Sequence, residues 1–590
     1  MKRFLLVCLG LGFGMNCAPQ GHSGNGSPSL DPIMPDRPDA VTVGETTSGT
    51  ADAISKEERN PAPEDETAII DDASESTCRV SSITDAKWWD DAVAYEIFVR
   101  SFQDSNGDGT GDLAGLKDRL NYLKSANGEN SLGIDLIWLM PILESPSYHG
   151  YDVVNYDAVD QEYGTLESLE SLLETAKKQE IRVVMDYVMN HSSDNHPWFV
   201  KSAQEVDGPF RDYYTWNTDD LGWTQPWGSS GTWHQKVGAF YYGLFSPSMP
   251  DLNFQNPAVE ESITNSAAKW IESGLDGFRL DAVRYLIENG GGAGQKDQQQ
   301  THEAWARFRE RMDSAGDVPL LVGEAWAEMD IAKSYFGTKN KPEMNMVFDF
   351  DGATAMLQSV ASQSSNAVRQ SWCKRWKNTD HHGSWGTFLS NHDQDRVATT
   401  LKKHGVRALR TAAALLLLSP GTPWIYYGEE IGAENGESWG DMGRREPMFW
   451  SDGENGFTSA GEPWTGVSKK GEYSSVESQW NEPTSLLRWY QSLITARNNN
   501  IALRRGSAEF IDIEPDAVAL HRAHEEQECL ILVPLTEAKA MYTLRHPDIS
   551  GKWDAILNGV SLDIADDILE LEGQPGMAHV LCRPGTSLGE

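Results

Sequence analysis

Eight short apolar runs, most of them followed by an amphipathic stretch, constrain the fold of this chain more than any other feature. The runs are AVAYEIFVR at 92–100, IDLIWLMP at 134–141, IRVVMDYV at 181–188, GFRLDAV at 277–283, PLLVGEAW at 319–326, MNMVFDF at 344–350, GTFLSNHD at 386–393 and TPWIYYGEE at 422–430. Between them lie helical patterns such as LAGLKDRLNYLKS at 113–125, SLESLLETAKKQ at 168–179 and ALRTAAALLLLS at 408–419. Buried strands alternating with helices predict a parallel sheet, and eight of them predict a closed (β/α)8 TIM barrel of the α/β class.

The flanks read differently. Residues 1–17 carry Lys2 and Arg3 before an apolar run too short to span a bilayer, the pattern of a secretory signal. Cys17 directly after that run is a candidate lipoprotein cysteine, so the chain is expected to be exported and lipid-anchored, or otherwise secreted or periplasmic. Residues 18–84 are rich in Pro, Gly, Ser, Thr, Asp and Glu with scarcely an aromatic, and read as a disordered linker. The barrel is then expected over 85–189 and 251–500. It is interrupted at 190–250, after the third strand, by an inserted domain full of Trp, Tyr and Gly. Residues 501–590 alternate like strands and predict a C-terminal antiparallel β-sandwich. Of the cysteines beyond the export segment, Cys529 and Cys582 sit in strand-like stretches and can form a disulfide in an oxidising compartment. The alternative is that Cys78, Cys373, Cys529 and Cys582 are four unpaired buried thiols, and their spacing forms no zinc motif. A formal net charge of −39 argues against nucleic acid or an anionic membrane surface as partner.

Active sites of such barrels lie at the C-terminal ends of the strands. Those ends hold Asp186, Asp281, Glu324 and Asp393, with Arg279, His191 and His392 among them. A single acid there can be a helix cap; four around one mouth repel each other and resist desolvation, so they need a chemical reason. A carboxylate nucleophile beside a carboxylic acid suits glycosidic bond cleavage through an oxocarbenium-like transition state.

The segments DYVMNH, GFRLDAVRY, GEAW and FLSNHD resemble the four signature regions of the α-amylase family of glycoside hydrolases, in order and in strand position. The resemblance implies Asp281 as nucleophile, Glu324 as general acid/base and Asp393 as transition-state stabiliser. It implies Arg279, His191 and His392 as their neighbours in the first sugar subsite. SYHGYDV resembles the segment whose Tyr151 stacks on that sugar, with His149 nearby. The substrate class implied is α-glucan or maltooligosaccharide, and the reaction is double displacement with retention, which calls for carboxyl groups ~5–5.5 Å apart.

MPDLNF at 249–254 resembles the group between oligo-1,6-glucosidases and neopullulanases, which includes secreted bacterial α-amylases. Ala282 after the nucleophile leans toward α-1,4 bonds, since a valine there accompanies α-1,6 preference. GRREPMFW resembles a segment of oligosaccharide-cleaving relatives whose arginine, here Arg445, pairs with the acid matching Asp152. An Asp152–Arg445 pair narrowing the cleft is therefore expected. The alternatives within the family are an α-glucosidase or oligo-1,6-glucosidase and a transglycosylating relative such as a trehalose synthase or glucanotransferase. A surface glycan-binding lipoprotein without turnover is the alternative outside catalysis. Of the aromatics in the insert (Trp198, Trp216, Trp223, Trp227, Trp233, Tyr241 and Tyr242), one or two are expected to touch substrate and the rest to form its core.

One further motif concerns calcium. In DSNGDGTGD at 104–112 oxygen-bearing side chains alternate with glycines, as in an EF-hand loop, but Gly115 stands where that loop needs a bidentate Glu. The preceding run is a strand. Resemblance to calcium sites of oligo-1,6-glucosidase-like members implies Asp104, Asn106, Asp108, the Thr110 carbonyl and Asp112 as Ca2+ ligands. The reading without metal is an Asx-rich turn.

Overall fold

The computed structural model describes residues 78–126, 128, 130–378, 385–438, 440–452, 456–458, 461–466 and 475–585. The expected signal, the Cys17 anchor and most of the linker fall outside these residues. Eight parallel strands close a barrel in chain order: β1 Ala94–Ile97, β2 Leu136–Leu139, β3 Arg182–Tyr187, β4 Gly277–Leu280, β5 Leu320–Gly323, β6 Met346–Phe348, β7 Trp385–Phe388 and β8 Thr422–Tyr426. Seven of the eight apolar runs contain one of them whole, and β7 begins one residue before its run.

The period of two along a strand sorts the side chains. Ala94, Leu136, Trp138, Val184, Leu320, Val322, Met346, Phe348 and Trp424 fill the interior of the barrel. Tyr95, Ile97, Ile137, Leu139, Val183, Met185, Phe278, Leu280 and Leu321 face outward into the helix layer. By the same parity Glu96, Asp186 and Arg279 point inward, one step nearer the mouth than the apolar layer. Helices α1 Leu113–Leu123, α2 Leu166–Lys178, α3 Pro257–Glu272, α4 Gln299–Ala315, α5 Gly405–Leu418 and α6 Leu486–Asn499 form much of the outer layer. Their starts follow cap chemistry: Asp112 accepts from the Gly115 amide before α1, and Asn256 before α3 is followed by Pro257. Gly277 opens β4 at φ +149, where a Cβ would stand 2.0 Å from the Leu320 carbonyl, so only glycine lets β4 and β5 approach this closely.

Between β3 and α3 the insert folds as a helix, Pro197–Gln204, and a three-stranded sheet of Trp216–Asn217, Ala239–Tyr242 and Trp233–Lys236. The C-terminal region opens with a short helix, Ile501–Arg505, where only strands are expected from the sequence. It continues as a seven-stranded and a three-stranded antiparallel sheet packed about Leu530, Leu532, Tyr542, Leu544, Trp553 and Leu581. The other face of the larger sheet joins the main core through Val518, Leu520, Ile531 and Val533.

The linker ends sooner than its composition predicts. Arg79–Val80 is a strand, paired antiparallel with Ala508–Phe510 at the edge of the larger sheet. Cys78 beside it is bonded to Cys373, and Cys529 to Cys582 across neighbouring strands. No described helix is long and apolar enough to cross a membrane.

Candidate active site

The acids at the strand ends converge on one guanidinium. Arg279 lies opposite Asp186 in the β4–β3 register, and both side chains are 1 % exposed. Its Nη1 donates to Asp186 Oδ1 and Oδ2 at 2.9 and 3.0 Å and to Asp281 Oδ1 at 2.8 Å. Its Nη2 lies 3.0 Å from Glu324 Oε2. Three buried carboxyl groups thus share one cation, which fixes their relative positions and offsets part of their mutual repulsion.

Glu324 differs from its neighbours. Burial raises its pKa, Arg279 opposes this, and the charges of Asp281 and Asp393 add to it, for a value of about 8. Its Oε2 accepts from the Ala282 amide at 3.1 Å, while Oε1 is buried without a hydrogen-bond partner among the described residues. The group is a neutral acid at pH 7 with one oxygen uncommitted. Ala282 supplies its amide from the left-handed region, φ +51, a conformation that costs a non-glycine residue roughly 1–2 kcal/mol. Asp186 is pushed up to about 6 by burial, against Arg279.

Asp393, just past β7, has the opposite environment. Burial works against its ionisation, but His392, Arg445 and Arg279 outweigh it and hold the carboxyl well below the usual range. His392 Nε2 lies 3.1 Å from Asp393 Oδ2, and Arg445 Nη2 donates to Oδ1 at 2.8 Å. Tyr151, in the loop after β2, stacks on the His392 ring at 5.6 Å and 14°, and its hydroxyl reaches Asp186 Oδ2 at 3.0 Å. His149 lies alongside Tyr151 at 6.1 Å. Burial, with Arg445 and His191 beside it, lowers the His149 pKa to about 3; burial lowers His191 to about 4. Both are neutral at pH 7. His191 is set by the insert: Asn190 donates to Asp251 at 2.9 Å, and His191 bridges to Asp251 through its backbone.

One expectation about this region fails. Asp152 does not pair with Arg445: its Oδ1 accepts from Ser145 Oγ at 2.7 Å and from Ser147 Oγ. Arg445 is drawn instead to Asp393, and to Asp441 at 3.5 Å. An ionised acid in the mouth attracts the guanidinium more strongly than one already satisfied by two hydroxyls and raised in pKa by burial. Asp112, the fifth residue implied as a calcium ligand, accepts from Ser105 and caps α1 through the Gly115 amide.

The rest of the DSNGDGTGD loop keeps oxygen donors together. Asp104 accepts from the Asn106, Gly107 and Gly109 amides at 2.7–3.0 Å, and Asp108 from the Thr110 amide at 2.8 Å. Asp104 Oδ1 takes two of these N–H groups, while Asp104 Oδ2 and Asp108 Oδ1 each take one; together with Asn106, the Thr110 carbonyl and Asp112, these oxygens form a donor set compatible with a hard cation. Among the described residues no group of three or more His, Cys, Asp or Glu side chains is placed to hold a metal.

Beside Glu324 and Asp393 opens a cavity of about 600 Å3, walled by Trp227, Tyr285 and Trp326 and edged by Arg444. Trp227 is the residue of the insert's seven aromatics that lines it; Trp223, Trp233 and Tyr242 pack against one another. Sequence reasoning passed over Glu96, whose Oε1 lies 2.6 Å from His392 Nδ1. The available signal was an acid inside an otherwise apolar strand.

The alpha amylase catalytic-domain family matches residues 96–506. "Alpha-amylase 3" of Dictyoglomus thermophilum is 36% identical over 454 residues, covering 76% of this chain and 85% of that protein. An oligo-1,6-glucosidase of Parageobacillus thermoglucosidasius is 29% identical over 559 residues, covering 84% and 98%. The crystal structure of the α-amylase from H. orenii superposes with a TM-score of 0.74 at 32% identity, covering 84% of this chain and 99% of that one. An eight-stranded barrel carrying an acid–guanidinium cluster at its mouth, within a match of this length, leaves one assignment: the chain belongs to the α-amylase family of glycoside hydrolases and is an enzyme acting on α-glucans.

Proposed function

We propose that the protein is an exported α-amylase that hydrolyses α-1,4-glucosidic bonds in starch, maltodextrins or maltooligosaccharides with retention of configuration. The observation that carries this reading is Arg279 bridging Asp281 and Glu324, with Glu324 held as a neutral acid. Asp281 attacks the anomeric carbon as its bond to the leaving oxygen breaks, and Glu324 gives that oxygen its proton. The resulting Glu324 carboxylate then takes a proton from water, the water oxygen attacks the same carbon, and the Asp281 ester bond breaks. Asp393, ionised throughout, stabilises the positive charge that develops on the sugar in both steps. Tyr151 supplies a stacking face, His149, His191 and His392 supply hydrogen bonds to hydroxyls, and Asp152 and Arg445 bound the first subsite.

A second reading, an oligo-1,6-glucosidase or a transferase such as a trehalose synthase, shares every one of these residues. Ala282 favours the α-1,4 reading, since a valine at this place accompanies α-1,6 preference in the α-glucosidase branch. A product profile from starch, pullulan, isomaltose, maltose and maltoheptaose separates the readings. New reducing ends from starch and maltoheptaose support the amylase; release from isomaltose alone, or rearranged glucans without net hydrolysis, overturn it. A glycan-binding lipoprotein would show no turnover with any of them.

Two disulfides favour an oxidising compartment, in keeping with the export signal and a lipid anchor at Cys17. Cys17→Ser would abolish palmitate labelling. The 104–112 loop is proposed as a calcium clip formed by Asp104, Asn106, Asp108, the Thr110 carbonyl and Asp112. A chelator would then lower Tm in the native protein and not in Asp108→Ala; equal behaviour of the two would leave only the turn.

A further inference from the structure

The most unusual buried charge near the mouth belongs to a residue with no role in the scheme above. Glu96 is the third residue of β1, 2 % exposed, and lies between Trp138 of β2 and Tyr426 of β8 in the sheet register. The strand's inward parity carries its carboxylate to the floor of the site, where Oε1 lies 2.6 Å from His392 Nδ1. The other ring nitrogen, Nε2, faces Asp393 Oδ2 at 3.1 Å and the Tyr151 hydroxyl at 2.7 Å. One imidazole therefore stands between two carboxylates.

These contacts decide its protonation. Suppose His392 were neutral with its proton on Nδ1. The lone pair on Nε2 would then face the lone pairs of Asp393. Tyr151 would have to donate its single proton to Nε2 and could not also donate to Asp186 Oδ2 at 3.0 Å. A neutral ring protonated on Nε2 instead would set a lone pair against Glu96. With both nitrogens protonated every contact is satisfied: Nδ1–H to Glu96, Nε2–H shared by Asp393 and the Tyr151 oxygen, and Tyr151 O–H to Asp186. The charged groups around the ring agree. Glu96 from β1 and Asp393 after β7 contact it and Asp186 from β3 interacts with it, while the cations Arg279 from β4 and Arg445 from the loop after β8 are bonded to Asp186 and to Asp393.

We propose that Glu96 is a positioning residue that holds His392 doubly protonated, and through it keeps Asp393 ionised and aimed into the sugar site. Burial alone would strip the proton from His392; Asp393 and Glu96 together reverse that and push it up to about 10. Without Glu96, Asp393 loses one of its cations as pH rises, and the ring is free to adopt the tautomer whose Nε2 no longer donates to Asp393. The inference rests on the placement of His392 and Asp393 at the reacting sugar, but the state of the ring is measurable whatever the substrate.

The test joins nuclear magnetic resonance to kinetics. In 15N-histidine-labelled protein, with the His392 signal assigned by its loss in His392→Gln, the native ring is expected to show two protonated nitrogens at pH 7.5. In Glu96→Gln the signal moves to the neutral form at that pH. The kcat falls tenfold or more, and the loss deepens as pH rises from 6 to 8; Glu96→Asp restores the cationic ring and part of the rate. A neutral ring in the native protein overturns the proposal outright. So does a Glu96→Gln variant whose His392 signals and pH profile match the native protein, which would leave Glu96 a purely structural residue. Should Glu96→Gln fail to fold, the native spectrum decides alone. Loss of starch hydrolysis as the activity, with the ring found cationic, would count against the proposed substrate and leave this inference standing.

Discussion

Arg445 reaches Asp393 Oδ1 through Nη2 at 2.8 Å and the His392 carbonyl through Nε at 3.2 Å, so the loop after β8 grips the end of β7. The grip is buried: Arg445 is 2 % exposed. Removing one partner of such a pair leaves an uncompensated charge, typically a loss of ~3–5 kcal/mol. Arg445→Ala is therefore expected to lower kcat/KM on maltoheptaose by about 10²-fold or more, as Asp393 loses a cation that keeps it ionised. Asp152→Asn keeps an oxygen for Ser145 and Ser147 and is expected to cost less than about tenfold. Steady-state kinetics on the two variants would distinguish this arrangement from an Asp152–Arg445 clamp, in which both substitutions would cost alike.

The pH dependence of turnover should carry the signature of Glu324. The acid must be protonated to release the leaving group, so the rate falls as pH rises through its pKa. Burial beside Asp281 and Asp393 sets that value at about 8, above an ordinary glutamic acid. The alkaline limb of kcat/KM is expected near pH 8, and Glu324→Gln should lower hydrolysis by ~10²–10⁴-fold. A limb unmoved by substitutions at Asp393 would show that its charge does not contribute to the raised pKa.

Much of this architecture was legible in the sequence, for a physical reason. Apolar runs of strand length that end in acids declare both the barrel and its mouth, because several carboxylates gathered at one end repel each other and resist desolvation unless chemistry requires them. The partners of those acids were not legible. Asp152 and Arg445 occupy the expected positions, yet Asp393 competes for the guanidinium and wins, which depends on distances that no spacing encodes. Glu96 meets His392 because the closed barrel brings the inward faces of β1 and β7 together at its mouth. Cys78 finds Cys373 at a separation of 295 residues because a two-residue strand, hidden at the end of a low-complexity segment, pairs with the C-terminal sheet.

That cross-link should matter for stability. Cys78–Cys373 closes most of the barrel sequence into one loop and ties down an edge strand of only two residues. Disulfides typically contribute about 2–4 kcal/mol, more for long loops, by restricting the unfolded chain. The double Cys78→Ser, Cys373→Ser variant is expected to lose Tm by several degrees while kcat at 25 °C stays within about twofold, since the pair ties the edge of the C-terminal sheet to the helix Asn366–Asn378 and not to a strand end at the mouth. Thermal unfolding under oxidising and reducing conditions would check this; an unchanged Tm would mean the strand is held by its pairing alone.

A buried acid outside the mouth should govern how stability depends on pH. Glu429, after β8, accepts from Tyr490 of α6 at 2.9 Å through Oε1, and Oε2 has no partner among the described residues. Burial raises its pKa to about 8, with Tyr490 opposing and Glu430 adding to the shift. The folded protein therefore keeps this proton between about pH 4.5 and 8, where the unfolded chain gives it up. In that window unfolding releases a proton, and stability falls as pH rises. Glu429→Gln retains an acceptor for Tyr490 and cannot ionise, so its stability should fall less steeply between pH 5 and 8.5, by on the order of 4 kcal/mol. The amide's N–H groups have no evident acceptor at Oε2, which lowers its stability at every pH, so the slopes and not the absolute values carry the comparison. Urea unfolding at pH 5 and pH 8.5 measures both slopes. Parallel slopes would mean that Glu429 is ionised in the folded protein and that its negative charge is balanced within the barrel.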